Sequence, residues 1–351
     1  MLPTFSSSLS PRERLLAATA IVNGAIALAL FVSSSSSVPS LAVAAGSSAV
    51  FDPSLARYID LTHTIRPGMP LWEAFLQPNF SAAVSSINAE GFVSKAEKFT
   101  YKNQGFLAGS YSFTTDQIGT QLDAPAHWNE WGATVSDLPP TVSLRPLVVV
   151  DITSKVALDA GYHAAVDDVL DWEALHGKLP VGSVVMFRSD WSRAWDEYAV
   201  KGSMPATFPG VSLAALKFLH TERSILVHGH EPLDTDMTPS LEGEAWLMHN
   251  NFMQIEGVAN LHLVPPAGCL LSIGYAKIAG AAGGMARLIA ICPPEAGPHG
   301  VTIAEAPGAP LPQQPFPLRR GKDGVLVPTA GATPTTYCTE GSGALGCPMP
   351  E

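Results

Sequence analysis

The sequence predicts an α/β fold, a mixed sheet with flanking helices, from two observations. Short apolar, β-branched runs recur at 147–152, 184–187, 225–227 and 270–273, with the length and composition of buried strands. Segments with helical apolar spacing lie between some of them. The chain has 351 residues and 46% hydrophobic content, ample for one large core. Its net charge of -11 and lack of a basic stripe exclude an electrostatic nucleic-acid binder.

Taken in order, residues 1–45 form a targeting segment. Arg12 and Arg14 precede an apolar run at 15–32, five serines follow, and Leu41-Ala42-Val43-Ala44-Ala45 supplies an A-x-A-like end. The segment predicts an exported (secretory) or organelle-targeted (plastid) protein with the signal cleaved. Membrane contact is expected only if it stays uncleaved. Residues 46–57 form a linker. The folded domain, 58–292, opens with an alternating strand at 58–63, broken by Arg66-Pro67-Gly68-Met69-Pro70.

Further along, Val169, Leu170, Trp172 and Leu175 give 167–176 a helical stripe, with Gly177 as a C-cap. Ser212 is placed to cap a second helix, through His220. Cys269 and Cys292 sit in apolar stretches and read as buried small hydrophobes. After Cys292 the chain carries 12 of its 30 prolines and loses periodicity, so 293–351 reads as a Pro/Gly-rich tail. Cys338 and Cys347 flank a loop there, and export would permit them to pair.

Chemistry concentrates in three places. Gln117-Ile118-Gly119-Thr120-Gln121-Leu122-Asp123-Ala124-Pro125-Ala126-His127 combines a Gly-Thr turn, a carboxylate and an imidazole. Asp123 offers a hard anionic oxygen, and Gln117 and Gln121 offer neutral carbonyl oxygens. Such amides are poor partners for zinc and better ones for harder cations. A different metal, ligands from elsewhere, no metal at all, or glutamines that merely brace a turn all remain open on these residues. The loop 228–236 supplies His228, His230, Glu231, Asp234 and Asp236, of which His230 and Asp236 are the favoured members. Its plain alternative is a solvated acidic loop over a packed histidine. Glu256 lies among apolar residues, where burial would raise its pKa toward that of a proton acceptor, and His249 precedes it by seven residues.

These segments together resemble the cyclase / kynurenine-formamidase family, whose signature is His-x-Gly-Thr-His-x-Asp-x-Pro-x-His. The frame is intact, with Gln117 and Gln121 at the first two histidine positions. Ile59-Asp60-Leu61-Thr62-His63 through Gly68-Met69-Pro70 is similar to the family's opening. Glu256 with Asn260-Leu261 is similar to its Glu-x-x-x-Asn-Leu element, and 276–287 to its closing segment. The resemblance implies a swivelling β/β/α domain assembled as a homodimer or homotetramer. It implies a hydrolase acting on the C–N bond of a small amide or lactam, like the arylformamidases of kynurenine and tryptophan catabolism. It also implies a divalent metal, manganese or zinc, at Gln117, Gln121 and Asp123. His230 is a further candidate ligand; His127, Glu256 and His249 are the candidate catalytic residues. The alternative is a metal-free or non-catalytic member that binds a small ligand.

Overall fold

Strand alternation builds the architecture. On β5 (Leu144–Asp151), Leu147 and Val149 join one apolar cluster, while Val148 and Val150 join a second. Strand β7 (Val184–Arg188) repeats the pattern, with Val184 and Met186 on one side and Val185 and Phe187 on the other. Both faces are covered, which is why these strands read as unbroken apolar runs. The computed structural model of the chain describes residues 56–84, 98–201, 204–293, 318–320 and 326–328, all within the unit Phe51–Glu351. The targeting segment, most of the linker, and Cys338 and Cys347 lie outside the described residues.

The main sheet has eight strands. Besides β5 and β7 they are β1 (Arg57–Asp60), β4 (Gln121–Asp123), β9 (Val227–His230), β10 (Met253–Glu256), β11 (Cys269–Tyr275) and β12 (Gly283–Cys292). Their order is β1-β12-β11-β5-β7-β9-β10-β4, and β4 also pairs with β12, which closes the sheet on itself. Strands β5, β7, β9 and β10 run parallel, and the remaining pairings are antiparallel. The first cluster draws on every strand of the ring, from Ile59 and Leu122 to Leu271 and Leu288. Strands β2 (Asn79–Ala82) and β3 (Gly109–Ser112) pair with each other, as do β6 (His163–Ala164) and β8 (Gly210–Val211). In the region read as a tail, β13 (Leu318–Arg320) pairs with β14 (Leu326–Pro328).

Three helices cover the second cluster: α1 (Val166–His176), α2 (Leu213–Lys217) and α3 (Glu242–His249). Helix α1 follows its sequence signals, with Asp167 and Asp168 in the first turn and Gly177 beyond the last at φ +86°. The Ser212 side chain accepts a hydrogen bond from Ala215 N at 3.2 Å, capping α2 as its position predicts. Among the described residues no helix is long and apolar enough to cross a membrane.

Two readings need correction. Cys269 and Cys292 are buried, but they form a disulfide rather than acting as separate hydrophobes. The antiparallel register that sets Leu270 against Ile291 brings the cysteines opposite each other, with Cα atoms 4.2 Å apart. The strand expected at 225–227 instead runs Val227–His230, so His228 and His230 belong to the sheet and not to a loop.

Candidate active site

The site grows from the pairing of β4 with β10. Gln254 lies opposite Asp123 and Glu256 opposite Gln121. Because side chains alternate, Leu122, Met253 and Ile255 enter the apolar cluster while Gln121, Asp123, Gln254 and Glu256 share the other face. Amide hydrogen bonds knit these four together. Gln121 Nε2 donates to Glu256 Oε2 at 2.8 Å and to Asp123 Oδ2 at 3.5 Å. Gln254 Nε2 donates to Glu256 Oε1 at 2.8 Å and to Asp123 Oδ2 at 3.1 Å. Thr235 Oγ1 in turn donates to Gln254 Oε1 at 2.6 Å, which fixes the way that amide faces.

Helix α3 adds a third carboxylate. Asp236 accepts from Gly243 N through Oδ2 and from Thr238 N through Oδ1, both at 2.9 Å, so it caps the start of α3 and does not enter the site. The first turn of that helix carries Glu244 inward. Ligand atoms of Asp123, Glu244 and Glu256 lie within 4.8 Å of one another, and all three residues are buried. His127 ends a tight turn after Pro125, with Nε2 3.3 Å from Glu244 Oε1. Trp128 Nε1 donates to the same oxygen at 3.1 Å. Gln117 Nε2 meets His127 Nδ1, and Gln117 Oε1 accepts from Thr115 Oγ1 at 3.1 Å. With Nδ1 accepting from Gln117, the imidazole proton sits on Nε2 and points to Glu244.

A pocket of about 400 Å³ opens over this cluster. Gln117, Gln121, His127, Asp234, Glu244 and Glu256 form its polar wall, faced by Leu71, Trp72, Phe75, Trp128, Leu233 and Leu241. Among the described residues no lysine or arginine lines it. Burial therefore outweighs the opposing hydrogen bonds and the charge of His127, and raises the carboxyl pKa values. Asp123 and Glu256 both move up for this reason, and for Glu256 the neighbouring Glu244, Asp123 and Asp234 push the same way. Burial carries Asp234 to about 7, again helped by those acidic neighbours. For His127, burial pulls downward, but the hydrogen bond to Glu244 and the charge of Asp123 outweigh it and the pKa rises.

The structure thus gathers Gln117, Gln121, Asp123, His127 and Glu256 around one pocket. It places two other sequence candidates elsewhere. His230 is buried in β9, with Nδ1 donating to Pro232 O at 3.1 Å and Nε2 3.0 Å from Thr235 Oγ1. Its Nε2 lies 3.7 Å from Glu256 Oε1, behind the pocket wall. His249 is exposed at the last turn of α3, where Nδ1 contacts Ala245 O at 2.6 Å. A carboxylate five residues earlier, Glu244, faces the pocket from that helix instead. Sequence reasoning missed Glu244, Gln254 and the aromatic wall. Gln254 was legible, since it stands two residues from Glu256 on a strand and must share its face.

Three buried oxygens at this wall have no hydrogen-bond partner: Gln121 Oε1, Asp123 Oδ1 and Glu244 Oε2. Buried acceptors left this way each cost about 1–3 kcal/mol, so their concentration at one place calls for a bound cation or protons. The donors are all oxygen, a set that fits a hard divalent cation such as manganese and lacks the imidazole and thiolate that zinc prefers.

Comparison with known proteins supports the fold and gives the family. An isatin hydrolase of Roseibium aggregatum is 27% identical over 250 residues, spanning 67% of this chain and 91% of the relative. The fold matches isatin hydrolase A from Labrenzia aggregata, bound to benzyl benzoate, with a TM-score of 0.58 and 24% identity, covering 68% of this chain and 94% of that one. Isatin hydrolase A from Ralstonia solanacearum matches with a TM-score of 0.57 and 24% identity, covering 82% of this chain and all of the other. Residues 59–237, half of the chain and including the paired glutamines, Asp123 and His127, match the family described as putative cyclase, and this chain belongs to it.

Proposed function

We propose that this pocket hydrolyses the C–N bond of a small amide or lactam, of the isatin or N-formylkynurenine kind. One observation carries the reading: carboxyls and an oriented imidazole converge on a pocket otherwise lined by apolar and aromatic side chains. The aromatic wall would hold the flat body of the substrate and exclude water, leaving the carbonyl against the polar wall. The isatin hydrolase relatives support the substrate class.

Within that pose the residues divide the proton work. Asp234 lines the pocket outside the Asp123–Glu244–Glu256 cluster, and its pKa near 7 suits a base that takes a proton from the attacking water at neutral pH. Asp234 then gives that proton to the departing nitrogen as the C–N bond breaks, while His127, held at both nitrogens by Gln117 and Glu244, orients the water. A free acid and an amine result, and the proton taken from water ends on the amine. Glu256, expected as the base, sits deeper and orders the amides of Gln121 and Gln254. A hard divalent cation held by Asp123, Glu244 and Glu256 would polarise the scissile carbonyl and acidify bound water.

The test is turnover of isatin, N-formylkynurenine and simple lactones by purified protein, with manganese, with zinc and with chelator. Hydrolysis of at least one is expected, and Asp234→Asn should lower kcat by roughly 10²–10⁴. No turnover under any condition removes the hydrolase reading. The replacement of two family imidazoles by Gln117 and Gln121 favours one rival, a ligand-binding member without catalysis. Saturable binding of isatin without turnover would establish it. Export or organelle targeting, and assembly as a homo-oligomer, belong to the same proposal. The Cys269–Cys292 bridge supports the first.

A further inference from the structure

We propose that His220 and His228, two buried imidazoles outside the pocket lining, form a second site that holds one soft monovalent cation of the copper(I) class between them.

The backbone brings the pair together. His228 lies on β9, in register with Val185 of β7 and Gln254 of β10, on the face of the sheet that carries the second apolar cluster. His220 comes from the layer above. After Lys217, helix α2 widens into a π-helical turn, Phe218–Glu222, closed by a hydrogen bond from Arg223 N to Phe218 O at 3.1 Å. Such turns are rare and recur at functional sites. This one carries Leu219 and His220 inward and leaves Thr221 and Glu222 exposed. The His220 and His228 rings stand perpendicular, with centres 5.7 Å apart.

Both rings lack partners. His220 is 4% exposed and His228 0%, yet Nδ1 and Nε2 of each make no hydrogen bond. The neighbouring His230 has a contact at each nitrogen. Bare buried nitrogens are costly, and four of them on two adjacent rings call for a ligand. Burial lowers the pKa of His220 to about 3 and that of His228 well below the usual range, so each neutral ring offers a lone pair. The Phe252 ring packs on His220 with centres 4.5 Å apart and completes apolar surroundings.

Distance, ligand number and charge select the ion. An ion about 2.0 Å from one nitrogen of each ring sets the ring centres about 5–6 Å apart. Among the described residues no third histidine, cysteine or carboxylate joins the pair within ligating reach. Structural zinc takes four ligands, whereas copper(I) accepts two. With no anionic ligand beside the rings, a single charge is also far cheaper to bury than a double one.

The experiment uses the whole chain carrying Cys338→Ala/Cys347→Ala, which removes the tail thiols as rival copper ligands. Copper(I) is added under argon with ascorbate, against bicinchoninate as a coloured competitor. No substrate is present, so the outcome is independent of the hydrolase reading. One copper(I) per chain is expected to be held against the competitor. His220→Leu and His228→Leu should each lose it, while Asp123→Asn on the pocket wall retains it. Copper(I) should raise the melting temperature of the parent chain and of neither leucine variant. Should a leucine variant fail to fold, the copper X-ray absorption spectrum of the loaded parent chain reads the ligands directly, and two imidazole neighbours are expected. The proposal is overturned if no copper(I) is held, if either leucine variant holds it as the parent chain does, if Asp123→Asn loses it, or if the spectrum shows sulfur neighbours or a higher coordination number.

Discussion

Glu173 and Glu256 are equally hidden and electrostatically opposite, with side chains 4% and 3% exposed. Burial would raise the pKa of Glu173 too. There, however, Arg223 donates through Nε at 2.7 Å and Nη2 at 3.1 Å, Lys178 sits at 2.6 Å, and the value falls to about 2. Glu256 receives only the neutral amides of Gln121 and Gln254, and burial with its acidic neighbours drives it up. The same fold compensates a carboxylate fully where it ties α1 to the Arg223 turn. It leaves a group of them uncompensated where the pocket lies. Uncompensated burial costs stability, and its confinement to one wall marks the site more sharply than burial itself does.

Exchanging charge for amide at the two places should give opposite phenotypes. Glu256→Gln is expected to lower kcat in the lactam or formamide assay by roughly 10²–10⁴, about 3–5 kcal/mol of barrier, without loss of folding stability at pH 8. Glu173→Gln should leave kcat unchanged and destabilise by about 2 kcal/mol at pH 7, read in urea melts, because it leaves Arg223 without its anionic partner. If Glu173→Gln abolishes activity, or Glu256→Gln unfolds the chain, the division between a structural and a functional carboxylate is wrong.

The disulfide is a third way of holding the sheet, and it links β11 to β12. It closes a loop of sequence separation 23 between β11 and β12. Loop closure of that size corresponds to about 3 kcal/mol in the chain-entropy account. Cys269→Ala/Cys292→Ala should lose about that much in urea, and reductant should affect wild type but not the variant. A wild type insensitive to reductant, with both thiols free to alkylation on unfolding, would remove the bridge and with it the support for an oxidising compartment.

How much of this was legible in the sequence depended on range. Strand alternation and capping are local, so β5, β7, the ends of α1 and the Ser212 cap could be read directly. The signature frame placed Asp123 and His127. Glu244 could not be found that way, because what turns it inward is the start of α3, set by Asp236 capping Gly243 across seven residues of irregular chain. His249 looked suitable by spacing from Glu256, but the chain turns after α3, so a residue near Glu256 in sequence ends on the outer surface. His230 reads as a loop ligand because 228–236 gathers two histidines and three carboxylates directly after an apolar run. In the structure burial keeps both imidazoles neutral, lowering His230 to about 4 and His228 further.

The smallest expected effect separates burial from function most finely. Glu231 is wholly buried just after β9, its Oε2 accepting from Ser189 Oγ at 2.8 Å and Ser192 N at 3.3 Å, its Oε1 unpartnered. Burial lifts its pKa from 4.5 to about 7. A carboxyl raised on folding binds its proton more tightly in the native state, so its cost is absent below pH 4.5, grows as pH rises to about 7, and is constant above. The shift bounds that cost at about 3 kcal/mol, and the new amide N–H, itself lacking a full set of partners, reduces the recoverable part to about 1 kcal/mol. Glu231→Gln should therefore be more stable than wild type by about 1 kcal/mol at pH 8 and no more stable at pH 4.5, measured in urea with chelator present. Glu173 has the reverse sign: its contribution is full above pH 4.5 and disappears as pH falls toward 2. If Glu231→Gln gives the same difference at both pH values, Glu231 is compensated in the way Glu173 is. The uncompensated carboxyls would then be confined to those that line the pocket or lie directly beneath it.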